Sequence, residues 1–198
     1  NEVSRQIGTT LEPEELFSEV VDAVQEKFGY YGVALFLVEG EYAVLKAISG
    51  GCAHLKKLEY RQALNQGIVG WAITHNETVL SNDVEKDPRY IPCPVPECAT
   101  RSELCVPIRF RGQVIGALDI QSTEAGAFDH LDALAMEALA SQIAVTLKNA
   151  ELYKRAKETR DLILTAANSI HDEALLIGPD YTIIDVNEKV LERLGLSR

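Results

Sequence analysis

Long apolar runs are missing from this chain. No stretch of its 198 residues approaches the roughly 20 consecutive apolar positions that span a bilayer. Asn1-Glu2-Val3-Ser4-Arg5-Gln6 has no basic head leading into an apolar core, so it does not read as a signal peptide. It also lacks a starting Met, and the chain is expected to be cut from something longer. Basic residues are scarce: 19 Lys and Arg face 30 Asp and Glu, a formal charge of -11. That balance argues against nucleic acid, whose phosphates call for a basic face, and against direct contact with an anionic membrane. The four cysteines, Cys52, Cys93, Cys98 and Cys105, show no dense disulfide spacing, so a reducing, cytoplasmic compartment is expected. The four histidines are scattered. What the chain does have is ordinary globular composition, 46% hydrophobic and 25% charged.

Periodicity places the elements. Phe17, Val20, Val21, Val24 and Phe28 recur at helical spacing after Pro13, which predicts a helix over 13–28. The apolar run 33–38 and the segment 42–48 predict a hairpin through Gly40. A short strand is expected within 58–63, a short helix over 67–76, and a brief strand at Val79-Leu80. Pro92, Pro94 and Pro96 alternate, which excludes helix and central strand and predicts an irregular lid. Segments 103–110 and 113–121 predict a second hairpin around Arg111-Gly112. No Pro or Gly occurs from Asp129 through Ile177, and the Ala- and Leu-rich composition predicts one long helix from an Asp129 cap to about Thr165. Two short strands (174–177 and 182–186) and a helix over 188–194 close the chain. The layout is α+β: a central antiparallel sheet flanked by helices.

Four blocks in order then resemble a bacterial GAF domain. They are Gly67-Ile-Val-Gly-Trp-Ala72, Asn82-Asp-Val84 with Asp87-Pro-Arg-Tyr90, Thr100-Arg-Ser-Glu-Leu-Cys-Val-Pro-Ile108, and Val114-Ile-Gly-Ala-Leu-Asp-Ile-Gln-Ser122. The tail, Ala174-Leu-Leu-Ile177, a Gly-Pro-Asp turn and Thr182-Ile-Ile-Asp-Val-Asn187, resembles the start of a PAS domain. The division implied is an extension (1–10), a GAF-like sensor (11–152), a helical linker (153–169) and an incomplete PAS start (170–198). The resemblance implies a ligand pocket on one sheet face, covered by the short helix and the lid. It also implies the input half of a signalling protein, most often a sensor histidine kinase, with a long C-terminal signalling helix.

The chemistry named by particular residues is thin. GAF domains that bind cyclic GMP carry an Asn-Lys pair where Gln121-Ser122 stands here, and Ala133 replaces a Glu downstream, so cyclic nucleotide is disfavoured. A GAF-like enzyme that reduces free methionine sulfoxide uses cysteines, one of them at the place of Val69. Valine cannot serve as a nucleophile, so that activity is set aside, although Cys93 and Cys98 lie in the lid where another such cysteine would be. No Cys-His pair suggests an attached bilin, and 161–165 holds no phosphoacceptor His.

The expectation is a module without catalytic residues, not an enzyme, that binds a small molecule of unknown identity. By position, the pocket would be lined by Phe36, Trp71, Tyr90, Ile91, Glu103, Cys105, Asp119 and Gln121. Trp71 could equally be packing against the sheet, and the face carrying Asp119 and Gln121 could equally meet solvent. The residues name no cofactor, and a metal is not favoured. The alternatives are a metal or redox sensor built on Cys93, Cys98 and Cys105 with Cys52 as a fourth ligand, and a ligand-free dimerisation relay. A homodimer is expected through the first and long helices, because Leu131, Leu134, Ala138, Val145 and Leu147 exceed one narrow stripe.

Overall fold

The computed structural model describes residues 13–93, 98–169 and 172–196. Its elements are α1 (Pro13–Phe28), β1 (Gly32–Glu39), β2 (Tyr42–Gly50), β3 (Arg61–Ala63), α2 (Gly67–His75), β4 (Val79–Ser81), β5 (Ser102–Phe110), β6 (Gln113–Ser122), α3 (His130–Asn168), β7 (Leu175–Ile177), β8 (Ile183–Val186) and α4 (Glu188–Leu194). Single 3-10 turns occupy Ala53–Leu58 and Val84–Lys86. The strand expected within 58–63 is therefore shorter, and its first residue belongs to a turn.

The chain forms two compact units, Asn1–Lys148 and Asn149–Arg198. In the first, six antiparallel strands run in the order β3-β2-β1-β6-β5-β4. Two hairpins, β1–β2 and β5–β6, meet where β1 pairs with β6, with Ala34 opposite Asp119 and Phe36 opposite Ala117. The β5–β6 turn places Arg111 at φ 52° and Gly112 at φ 82°. Two successive positive φ values give the turn twist that matches right-twisted strands.

Both sheet faces are covered, which explains why β1 and β5 read as apolar runs rather than alternating ones. On one face lie Leu35, Leu104, Val106, Ile108, Leu118 and Ile120, all buried. Helix α1 buries Leu16, Phe17, Val21 and Val24, while Phe28, expected in its stripe, is 42% exposed. The first turns of α3 bury Ala133, Met136, Ala140, Ile143, Ala144 and Leu147. Leu147 thus belongs to the core, and Leu131, Leu134, Ala138 and Val145 are exposed. Asp129 starts α3: its Oδ1 accepts the N–H groups of Leu131 (2.7 Å) and Asp132 (3.1 Å), and Asp132 accepts that of Asp129 (2.9 Å). This reciprocal box satisfies donors that the first helical turn cannot pair.

The other face packs Ala34, Phe36, Ala43, Ile48, Cys105 and Ala117 against Ile68, Val69, Ala72 and Ile73 of α2. This second layer also holds Cys52 and Leu55 from the segment after β2.

The second unit is small. Strands β7 and β8 pair antiparallel, and Asn187 caps α4 by accepting from Val190 N. Asn187 is buried. It also donates to Ala167 O (3.1 Å) and Asp172 O (2.9 Å) and accepts from Ala174 N (3.0 Å). Leu175, Ile177, Ile183 and Ile184 stay exposed on this ladder. No helix among the described residues is long and apolar enough to cross a membrane.

Candidate functional site

The site grows out of the β1–β6–β5–β4 face. Cross-strand register sets Gly32 opposite Gln121, Gln121 opposite Glu103, Ala34 opposite Asp119 and Asp119 opposite Cys105. Residues opposite one another project to the same side, so Glu103, Cys105, Asp119 and Gln121 share the α2 face with Phe36. Glu103 is 4% exposed and Asp119 2%. The alternative in which this face meets solvent is thereby removed.

Two carboxyls buried side by side cannot both ionise cheaply. Burial, then the neighbouring Asp119, pushes Glu103 well above the carboxylate range. Burial raises Asp119 from an ordinary 3.8 to about 6, with Glu103 and Gln121 pulling the other way. Asp119 Oδ2 accepts from Gln121 Nε2 at 2.8 Å, and the protonated Glu103 carboxyl is the other hydrogen-bond partner of Asp119. Gln121 Oε1 in turn accepts from Thr100 Oγ1 at 3.1 Å. A buried acceptor without a donor costs free energy unless something else supplies one.

A thiol cluster packs against the same core layer. The Sγ atoms of Cys52, Cys93 and Cys98 all fall within 4.8 Å of one another, and those of Cys93 and Cys98 are 2.6 Å apart. Cys52 reaches the cluster because two glycines precede it. Gly50 takes φ +88°, and a Cβ on Gly51 would run into the Tyr31 ring. The chain can turn tightly past Tyr31, whose hydroxyl also accepts from Ala99 N at 3.1 Å, beside Cys98. Burial pushes the Cys52 thiol up, and burial with its two thiol neighbours pushes Cys98 up. Both are therefore held as thiols at neutral pH. Cys105, fully buried in the sheet, lies outside this cluster. The alternative set with Cys105 as a ligand is corrected: on β5 its sulfur is fixed in the core, whereas the other three come from loops that converge over it.

Tyr90 joins two regions. It lines an open groove of about 830 Å³ together with Gly67, Trp71, His75, Arg89 and Ile91. It also feels Glu103, Cys52, Cys93 and Asp119, and burial first, then these charges, raise it to about 12. Trp71 sits on the groove side, stacked on His75 (4.1 Å between ring centroids) and under the Arg89 guanidinium (4.8 Å). Arg89 forks onto Asp87 with Nε–Oδ1 2.9 Å and Nη2–Oδ2 2.7 Å, which lowers Asp87 to about 2.

The eight positions expected around a pocket therefore divide. Phe36, Glu103, Cys105 and Asp119 are buried on the sheet face, with Gln121 at its border. Trp71, Tyr90 and Ile91 line the groove, Ile91 at 39% exposure. Tyr31 and Thr100 were not foreseen. Tyrosines flanking strands carry no sequence signature, but Gly50-Gly51-Cys52 is a visible one for a cysteine delivered by a tight backbone passage.

The GAF domain family model matches residues 10–148, more than half of the chain. The chain belongs to the GAF domain family. Among curated relatives, GAF domain-containing protein A of Dictyostelium discoideum is 30% identical over 118 residues, covering 58% of this chain and 68% of that protein. Free methionine-R-sulfoxide reductase of Escherichia coli is 29% identical over 120 residues, covering 61% and 67% respectively. Among solved structures, the type II free methionine-R-sulfoxide reductase of Thermoplasma acidophilum superposes with a TM-score of 0.59 at 26% identity, over 70% of this chain and 96% of that one. The GAF fold supports a ligand-binding regulatory module. The expectation of a non-enzymatic module is overturned, because the relatives and solved structures at this level of similarity include enzymes, the free methionine-R-sulfoxide reductases. Val69 was its ground; the structure shows that the two lid cysteines stand together, with Cys52 near them from another part of the fold.

Proposed function

We propose that the GAF domain of this chain reduces a small sulfoxide of the free methionine sulfoxide class by thiol chemistry. The observation that carries the reading is the convergence of Cys52, Cys93 and Cys98, packed against the sheet face that carries two buried carboxyls. The similarity to free methionine-R-sulfoxide reductases supports it.

The residues supply the required parts. Cys98, which burial holds as a thiol at rest, loses its proton to solvent as it attacks the sulfoxide sulfur, and Glu103, kept protonated by burial, is the acid assigned to the departing oxygen. Oxygen passes to Cys98 as a sulfenic acid and the thioether leaves. Cys93, its neighbour at 2.6 Å, then displaces water from that sulfur and a Cys93–Cys98 disulfide forms. One sulfoxide and two thiols yield one thioether, one disulfide and one water. An external dithiol restores the thiols. Asp119, ionised at neutral pH, is the acceptor assigned to the ammonium group of a free amino acid. Turnover of free methionine sulfoxide with dithiothreitol, followed as methionine released, tests the reading. Wild-type protein is expected to turn over and Cys98→Ser to fall to background. No methionine above background from reduced wild-type protein would refute it.

A second reading, favoured by the uninterrupted helix α3, is sensory. Occupancy or oxidation of the site would be relayed along residues 149–168 to an output such as that of a sensor histidine kinase. In support, the second unit has the strand–turn–strand–helix order of a PAS start. Hydrogen exchange along 149–168 that is identical in oxidised and reduced protein would count against it.

A further inference from the structure

The thiol cluster has a property that sulfoxide chemistry does not require. Two sulfurs suffice to reduce a sulfoxide and close a disulfide; here three converge. Three sulfurs within 4.8 Å of one another come close to the spacing of ligands around one soft metal ion. With Zn–S bonds of about 2.3 Å, tetrahedral ligands stand roughly 3.8 Å apart. Cys52 is held in the core layer, while Cys93 and Cys98 are half-buried and lie on the chain leading to β5. Separating the Cys93 and Cys98 sulfurs from 2.6 Å to that spacing takes side-chain rotations and about 1 Å of movement.

We propose that the reduced protein binds one Zn²⁺ through Cys52, Cys93 and Cys98, with a fourth position left to water or an exogenous ligand. Thiolate sulfur selects Zn²⁺ over Mg²⁺ or Ca²⁺, which take oxygen. A three-ligand site with one open position is the arrangement of exchangeable rather than closed structural zinc. Binding and sulfoxide reduction would exclude each other, since the ion occupies the sulfurs that the reaction consumes. Zinc would then act as a reversible block on the site, and oxidation to the Cys93–Cys98 disulfide would release it. The proposal stands on the sulfur geometry and is independent of the reductase reading.

The experiment uses the full chain, reduced and handled without oxygen, titrated with Zn²⁺ against a chromophoric chelator, with native mass spectrometry for stoichiometry. One zinc per chain is expected in wild-type protein. Cys52→Ser and Cys98→Ser are each expected to weaken binding by roughly a hundredfold or more. Cys105→Ala keeps the affinity. Co²⁺ in place of zinc should show thiolate-to-metal charge-transfer absorption that hydrogen peroxide abolishes as the disulfide forms. Wild-type protein that takes up no stoichiometric zinc overturns the proposal, a result that needs no variant to fold. So does undiminished binding by Cys52→Ser. Zinc binding without sulfoxide turnover leaves the proposal standing and refutes the reductase; turnover without zinc binding does the reverse.

Discussion

Replacing Asp119 with asparagine should remove a pH dependence that the fold carries for the sake of its site. Folded Asp119 holds its proton up to about pH 6, against 3.8 ordinarily. Between those values the folded state binds more protons than the unfolded state, so stability falls as pH rises through that window. The rise from 3.8 to about 6 corresponds to on the order of 3 kcal/mol, fully lost by neutral pH. The amide of the Asp119→Asn variant cannot ionise, and part of the elevation at Glu103, which Asp119 also causes, goes with it. An amide NH₂ without an acceptor brings a constant offset of about 1–3 kcal/mol, but an offset does not change with pH. The measured quantity is therefore the difference in unfolding free energy between the variant and wild-type protein at pH 4, 5, 6 and 7. Urea denaturation followed by fluorescence of Trp71, the single Trp and a residue of the first unit, reports it. The difference should grow in the variant's favour by roughly 3 kcal/mol across that range. Parallel curves would refute the reasoning, because they would mean that Asp119 titrates alike in folded and unfolded chains.

The site and the helices carry further expectations. Burial holds Cys52 and Cys98 as thiols, so sulfoxide turnover should climb from neutral into alkaline pH as the thiolate fraction grows; an initial-rate profile that is flat or falling there would contradict it. Gly51→Ala drives a Cβ into the Tyr31 ring and should cost about 1–3 kcal/mol in urea denaturation, with zinc affinity lowered as Cys52 moves; unchanged stability and affinity would rule out the tight passage. Leu131, Leu134, Ala138 and Val145 follow a three-and-four spacing and are exposed on α3, so Leu134→Glu with Val145→Glu should turn a homodimer into a monomer in sedimentation velocity; a wild-type monomer at high concentration would refute the dimer.

Much of the architecture was legible from the residues one at a time. Helices and strands follow apolar period, and period is local: the α1 stripe, the Arg111-Gly112 hairpin and the Asp129 cap needed no distant partner. The absence of Pro and Gly beyond Asp129 set the long helix, which runs to Asn168. The family blocks likewise pointed to the sheet face bearing Glu103, Asp119 and Gln121. The chemistry was misjudged where it depended on residues far apart in the chain. Val69, taken by itself, argued against thiol catalysis because valine is no nucleophile, and nothing local says that Cys52 lies near Cys93 and Cys98. That proximity comes from β-sheet register and from two glycines that let the chain pass Tyr31. The protonation of Glu103 and Asp119 is likewise a property of being covered on both sides, not of their identity. Local pattern decides what each segment becomes, because backbone sterics and side-chain period act over a few residues. Which sulfurs meet, and which carboxyls lose their water, is decided by packing between segments, and there the third thiol and the two buried acids took their places.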